Sequence, residues 1–394
     1  MKECSELLHY DSTLLKALER IYGKDVDSFL NSILSPGSRL YIRVNTLRTS
    51  AETIIDRFNE RGVEVYVDEE LEEALYFPVK GPFKVNLVDK VIVVDKRAAE
   101  SIYMGANVYA PGVLECKDVR KGNEATVVAE DGTPVANAIA LVNCEEVLKA
   151  DIRRGVVAET VNPVYKAPKI RESPEYLEGL IYPQSLAAMY VTHVLDPRPG
   201  ELVVDACAAP GGKTSHIVEY SQGKAHVIAF DRSRRRLSEF LTNLERLRES
   251  QFVEVWRTDS RYLHLDFSWI RADKVVMDPP CTALGVRPKV LDSKTYRDVE
   301  NASRYQAQLL RSAFHILKPG GVLVYSTCTV TVEENEEVIE GFVEEVRCAE
   351  VIEIDIKRGA RGVLGYRYSD AFLRFHPNIH DTSGYFIAKI VRKC

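Results

Sequence analysis

From Ile181 onward the chain alternates apolar runs with amphipathic ones: LVVDACA, a helix from Gly212, AHVIAFD, a helix through RRLSEFLTNLERLRE, VEVWRTD, KVVMDPP, a helix near ASRYQAQLLRSAFHIL, then GGVLVYST. This alternation leaves few folds open, because each helix must carry the chain back before the next strand can lie parallel to the last. It predicts a doubly wound, mostly parallel sheet, in which chemistry gathers at the carboxyl ends of the strands. The polar motifs sit at those ends. Asp205 closes the first strand, Asp231 follows 26 residues later at the end of the second, and Asp259 ends the third. An acid at the second place suits ribose hydroxyls, and one at the third can accept from an adenine amino group. Each alone could be a helix cap, but three in succession around a glycine turn point to a nucleotide-like cofactor.

That turn lies in DACAAPGGKTSH, where Gly211 and Gly212 let the backbone bend and let a ligand approach helix-start amides. The run also nearly matches the phosphate-binding GxxxxGK[ST] loop, with Gly212-Lys213-Thr214 at its end and Asp278 as a magnesium carboxylate. An NTPase is therefore the distant alternative. Cys207 stands where that loop needs glycine.

The rest of the chain divides by texture. Residues 1 to about 35 carry Leu7, Leu8, Leu14, Leu15, Leu18, Ile21, Phe29 and Ile33 at helical spacing, which predicts two short helices. A strand in RLYIRVNTLRTS, a helix through AETIIDRFNERG and a strand at VEVYV make residues 1–88 a helical and small α/β segment. Residues 89–165 read as short strands cut by turns, with Asp131-Gly132 as a hairpin signal, and predict a compact barrel. Residues 166–394 form the alternating unit.

Two resemblances follow from these residues. VDKRAAESIYMGANVYAPGV, KGNEATVVAEDGTPVANAIA and RRGVVAET resemble a PUA domain, a small RNA-binding barrel of many RNA modification enzymes. DACAAPGGKT, Asp231, Asp259, DPPC (278–281), STC (326–328), EENE (333–336) and GYFIAK (384–389), with RVNTLR (43–48) upstream, resemble the motif series of the Nop/Sun-type RNA cytosine-C5 methyltransferases. The resemblance implies a Rossmann-like methyltransferase domain that uses S-adenosyl-L-methionine. It implies cofactor contacts at Ala208, Ala209, Pro210, Gly211, Gly212, Lys213, Asp231, Arg236, Asp259 and Asp278.

The chemistry explains why such an enzyme needs cysteine. C5 of cytosine is not nucleophilic until a thiolate has added at C6. Cys281 and Cys328 both sit at strand ends, and the residues alone leave their roles interchangeable. The resemblance makes Cys328 the nucleophile and Cys281 the thiol that assists release. A free thiol is only a few per cent ionised at neutral pH, and Lys213 is a candidate cation to help. Asp278 could bond the cytosine amino group and N3, as the resemblance also implies. DPPCTALGV departs from the commoner form of that loop, in which Ala or Pro precedes PC and Ser-Gly follows, so Thr282 and Ala283 put its fine geometry in question.

The resemblance to a PUA-bearing branch implies tRNA as substrate, with the acceptor stem and CCA end as docking elements and the target a cytosine near the 3′ end, at position 72. rRNA is the competing substrate. Composition gives no support of its own: net charge is −6, and residues 89–165 hold nine Lys and Arg against twelve Asp and Glu. Only local patches could meet phosphates, with Lys96, Arg97, Arg153 and Arg154 in the barrel and Arg287 and Lys289 after DPPC. A pure RNA-binding protein on a dead methyltransferase fold would have lost Cys328 or the glycine turn. A small-molecule or protein methyltransferase would lack the barrel and the cysteine pair.

No apolar run is long enough to span a membrane and the N-terminal residues do not resemble a signal peptide, so a cytoplasmic monomer is expected. The eight cysteines, at 4, 116, 144, 207, 281, 328, 348 and 394, show no CxxC pair, and most are expected as reduced thiols. His376 and His380 have metal-like spacing with Pro377 inside it, and no metal site is expected.

Overall fold

The computed structural model describes residues 8–149 and 152–394; Cys4 and Leu7 lie outside them. Helices α1 (Ser12–Tyr22) and α2 (Val26–Leu34) lead. Asp11 caps α1 by accepting the Thr13 and Leu14 amides, and the chain turns at Gly23, φ +54°. Strand β1 (Arg39–Val44), helix α3 (Ala51–Asn59), β2 (Tyr66–Val67) and β3 (Ala74–Pro78) follow. β1 stops well short of residue 50 because the Asn45 side chain takes the Leu47 amide and starts a turn.

The central module runs β4 (Val91–Val94), α4 (Lys96–Tyr103), β5 (Val108–Tyr109), β6 (Val113–Lys117), β7 (Glu124–Val128), β8 (Pro134–Ala140) and β9 (Val156–Pro163). Its strand order is β5-β9-β8-β7-β4-β6. The end strands β5 and β6 are joined by residues 110–112, so the sheet curls round a small core that includes Ile92, Val127 and Ala138. Asp131 accepts the Thr133 amide in the β7–β8 turn, where Gly132 has φ +87°.

Strand β10 (Ile181–Pro183) then returns to pair antiparallel with β1, completing the order β10-β1-β3-β2. The remaining chain gives α5 (Leu186–Leu195), β11 (Leu202–Asp205), α6 (Gly212–Tyr220), β12 (His226–Asp231), α7 (Arg234–Leu247), β13 (Val253–Arg257), β14 (Ala272–Met277), α8 (Tyr296–His315), β15 (Leu317–Thr327), α9 (Glu336–Glu345), β16 (Ala349–Ile352), β17 (Leu373–Phe375) and β18 (Tyr385–Arg392). The helix near 302–317 starts earlier than its apolar pattern suggests. Thr295 and Asp298 form a reciprocal capping box that fixes its first turn.

Strands β11 to β15 are parallel in the order β13-β12-β11-β14-β15, and β18 and β16 extend the sheet antiparallel. Successive side chains face opposite ways, so Val203, Val227 and Val276 meet α5, α6 and α7, while Val204, Ile228 and Val275 meet α8 and α9. The order reverses between β11 and β14, and a crevice at such a reversal is where α/β sheets bind ligands.

The modules share cores. Val290 and Leu291 pack into the six-stranded module, and α1 and α2 pack against Leu284, Val299 and Val330. Among the described residues no helix is long and apolar enough to cross a membrane. The expectation of mostly reduced cysteines is corrected. Cys116–Cys144 and Cys348–Cys394 are disulfides, with Cα atoms 5.9 and 5.3 Å apart, and Cys207, Cys281 and Cys328 are free. Partners 28 and 46 residues apart leave no local sequence signal; folding alone brings them within bridging distance.

Candidate active site

The glycine turn sits at the sheet reversal. Gly211 is the residue before α6 with φ +109°, and a Cβ there would lie 2.5 Å from the Phe240 ring. Backbone and space both demand glycine. No side chain caps α6, so its first-turn amides are open to an anionic group such as the carboxylate of S-adenosylmethionine. Asp205 faces inward instead, accepting from Thr214 Oγ1 at 2.7 Å and the Cys207 amide. Burial pushes its carboxyl up to about 6. It braces the turn.

Asp231 ends β12, and Asp259 lies just past the end of the adjacent parallel strand β13. Asp231 accepts the Ser233 amide, and Arg236 lies 3.5 Å from it while also bonding the Ala209 carbonyl. Arg236 thus ties the second strand-end acid to the glycine turn. Asp259 is held by the Arg261 guanidinium at 2.7 Å, which keeps its carboxyl below the usual range. Arg232 and Arg261 lie over the Tyr305 ring at 5.0 and 5.2 Å, an arrangement with no sequence signal. This donor set fits a nucleoside: two carboxylates for hydroxyl and amino groups, beside open amides and a glycine cradle.

The thiols come together because β14 and β15 are parallel neighbours, pairing Met277 with Tyr325, and their following loops leave side by side. Cys281 Sγ and Cys328 Sγ are 3.4 Å apart. The hydrogen bond to Cys328 and burial push the Cys281 thiol up, so it keeps its proton at neutral pH. Asp278 Oδ2 is 2.6 Å from Lys213 Nζ, while Oδ1 accepts from Ser326 Oγ at 3.1 Å and Tyr385 OH at 3.2 Å. Burial opposes the Lys213 charge, but Asp278 outweighs it and raises the ammonium. The lysine is therefore bound to Asp278, and Thr214 to Asp205, which leaves neither arranged as in a phosphate-binding loop. Tyr385 comes from GYFIAK, a motif whose individual residues the sequence did not assign. Ala283, where the commoner loop has glycine, has φ +57°.

The basic residues expected at RNA separate into two groups. Arg97, Arg153 and Arg154 are exposed on the six-stranded module. Lys96 instead reaches Asp292 at 2.6 Å. For Arg287 and Lys289 the phosphate reading is corrected: their side chains are 7% and 5% exposed and are neutralised by Asp381 and Asp292. An arginine or lysine that has a carboxylate partner inside the protein fixes a loop rather than meeting a backbone phosphate.

Arg43 of RVNTLR is another residue whose role the motif alone did not reveal. Fully buried, it bonds Glu219 at 2.6 and 2.9 Å, Ser215, and the Gly212 carbonyl at 2.7 Å. The N-terminal sheet thereby grips the helix that carries the glycine turn. His376 and His380 have separate partners, with Tyr22 OH 3.0 Å from His376 Nδ1 and His380 Nδ1 accepting the His376 amide. Among the described residues one cluster, Glu73, His193 and His216, has metal-like spacing; both imidazole Nε2 atoms lie on Glu73 Oε1, at 2.6 and 3.2 Å, and satisfy it as hydrogen-bond donors. A groove of about 470 Å³ lies beside the turn between Tyr176, Tyr182, Pro210, Arg235 and Asn243, and neither Cys281 nor Cys328 lines it.

Comparison with known proteins agrees with this geometry. Residues 192–391 match the family described as 16S rRNA methyltransferase RsmB/F, and residues 90–163 match the PUA domain. The chain is 36% identical to a tRNA (cytosine(72)-C(5))-methyltransferase of Pyrococcus horikoshii, over 97% of this chain and 96% of that protein. It is 29% identical to the mouse tRNA (cytosine(72)-C(5))-methyltransferase NSUN6, over 86% of this chain and 78% of that one. The crystal structure of NSun6 from Pyrococcus horikoshii with SFG, the cofactor analogue sinefungin, superposes with a TM-score of 0.89 at 35% identity, covering 98% and 99% of the two chains.

Proposed function

The chain belongs to the RsmB/F methyltransferase family and carries a PUA domain, and from that premise we propose that it methylates C5 of cytosine 72 in the acceptor stem of tRNA, using S-adenosylmethionine. The observation that carries the chemistry is the pair of free sulfurs 3.4 Å apart, next to an aspartate already bonded to a lysine. Likeness along almost the whole chain to enzymes named for tRNA cytosine 72, PUA module included, favours tRNA over rRNA.

When bound, the cofactor supplies a methyl group on a cationic sulfur. The α6 amides and the 208–213 turn hold its methionine end, and Asp231, Arg236 and Asp259 its nucleoside. Cys328 adds through sulfur to C6 of the cytosine and makes C5 nucleophilic. Asp278, oriented by Lys213, Ser326 and Tyr385, bonds the N3 and amino edge and selects cytosine over uracil. After methyl transfer the C5 proton passes to a solvent base and the C6–S bond breaks, Cys328 leaving as a thiolate that the Cys281 S–H, 3.4 Å away, stabilises.

A paired base must first be turned out of the stem, at about a few kcal/mol. The module at about 89–165 holds the stem and CCA end, with Arg97, Arg153 and Arg154 toward the phosphates, while the unit from about 166 takes the base. The enzyme works as a cytoplasmic monomer. The test is methyl transfer from labelled S-adenosylmethionine to unmodified tRNA transcripts, with product mapped by bisulfite sequencing. Methylcytosine at position 72 that vanishes in Cys328→Ala is expected; full activity in that variant would sink the nucleophile, and methylation of rRNA alone would overturn the tRNA assignment.

A further inference from the structure

The EENE segment and Thr282 were singled out in the sequence, yet the steps above use neither. Both converge on one buried carboxylate. Glu334, fully buried, accepts the Thr282 amide at 2.9 Å and Gln306 Nε2 at 3.0 Å on Oε1. Its Oε2 faces Thr282 Oγ1 at 2.5 Å, Thr331 Oγ1 at 3.0 Å and Thr329 Oγ1 at 3.3 Å. Thr282 Oγ1 and Thr329 Oγ1 are themselves 2.8 Å apart. Thr282 follows Cys281 and Thr329 follows Cys328, so the hydroxyl next to each thiol ends on the same carboxylate.

The neighbours of Glu334 extend the tie. Gln306 also bonds the Pro280 carbonyl, immediately before Cys281. Asn335 accepts from Thr327 Oγ1 at 2.6 Å and donates to the Thr329 carbonyl, so it holds both residues flanking Cys328. Tyr325 OH closes the ring on the Glu334 carbonyl at 2.6 Å. Burying a carboxylate is costly unless such donors compensate it, and once compensated the network is rigid. A surface-exposed acid could not hold two loops in this way.

We propose that Glu334 is a positioning residue that locks the Cys281 and Cys328 loops together through Thr282 and Thr329, setting the separation of the two sulfurs for both addition and release. The inference rests on the assigned roles of the two cysteines. It gives Thr282 a purpose: its hydroxyl bonds both Glu334 and the hydroxyl of Thr329, across the gap between the two loops. A shift of about 1 Å in reacting groups can cost as much as a hundredfold in rate.

The test pairs an RNA-free readout with a kinetic one on the full-length protein. Oxidation by diamide joins Cys281 to Cys328, and its rate, followed by mass spectrometry after peptide mapping, reports how the sulfurs face each other. Single-turnover methyl transfer at saturating tRNA and cofactor reports the chemical step. Thr282→Val and Glu334→Gln are expected to change the cross-linking rate and lower methyl transfer, each by about tenfold or more, with KM for RNA within about twofold of wild type. Thr282→Ser, which keeps the hydroxyl, is expected to restore both.

Val65→Ala, in the core of the N-terminal sheet, controls for lost stability and is expected to leave both rates unchanged. Unchanged cross-linking and methyl transfer in folded Thr282→Val would overturn the proposal, and that variant decides the matter if Glu334→Gln does not fold. Altered cross-linking in a protein that does not methylate tRNA would keep the lock and reject the substrate. Normal tRNA methylation with unaltered cross-linking would do the reverse.

Discussion

The two walls of the active site are built by opposite means. On the cofactor side the backbone does the work: a left-handed glycine, a tight turn and a helix start with open amides, with side chains supporting from behind. On the thiol side the backbone is unremarkable except at Ala283, and the arrangement depends on a buried network of hydroxyls, amides and carboxylates. A backbone-built wall tolerates little change of residue size at few positions. A network-built wall tolerates little change of polarity at many, because each orphaned group leaves its partner unpaired.

Arg43→Met should break the comparison most, since it removes the brace behind the cofactor wall and leaves Glu219 buried without its cation. We expect a loss of about 3 kcal/mol, read as a shifted urea midpoint, with a fall in cofactor affinity and little change in thiol cross-linking. Cys281→Ala acts on the other wall alone: multiple turnover should fall about a hundredfold, with a covalent RNA adduct persisting on denaturing gels and cofactor affinity intact by calorimetry.

Gly211→Val sharpens the contrast, because φ +109° and the Phe240 ring both oppose a side chain. Cofactor affinity should drop about tenfold or more while diamide joins Cys281 to Cys328 at the wild-type rate. A smaller effect comes from pH. Burial pushes the His216 and His376 imidazoles down to about 3, so between pH 6.5 and 3 the unfolded chain binds protons that the native state refuses. Stability is therefore present above pH 6.5 and falls as pH drops, by roughly 1.4 kcal/mol per pH unit per ring. His216→Gln should reduce that slope in denaturant melts at stepped pH. The smallest change is Ala283→Gly, which relieves φ +57° and should stabilise the chain by about 1 kcal/mol, with methyl transfer retained.

Much of this was legible before any tertiary structure. Strand–helix alternation gave the parallel sheet, since period-2 and period-3.6 apolar patterns are local consequences of backbone geometry. The glycine turn, the strand-end acids and the two cysteines were readable because each belongs to a contiguous motif. The start of α8 was misjudged because Thr295 and Asp298 cap it beyond its apolar stripe. Charge was the weakest guide: Arg287 and Lys289 read as phosphate ligands, whereas their partners, Asp381 and Asp292, show only in space.

The sequence by itself determined the order of elements and the chemical class of the enzyme. Tertiary structure alone decided that Arg287 and Lys289 are neutralised by Asp381 and Asp292, which cysteines are bridged, that Arg43 grips α6, and that Thr282, Thr329 and Glu334 meet. The reason is physical. Local patterns are written in neighbouring residues, but whether a buried charge or hydroxyl has a partner depends on groups up to hundreds of residues away, brought near only when the sheets close.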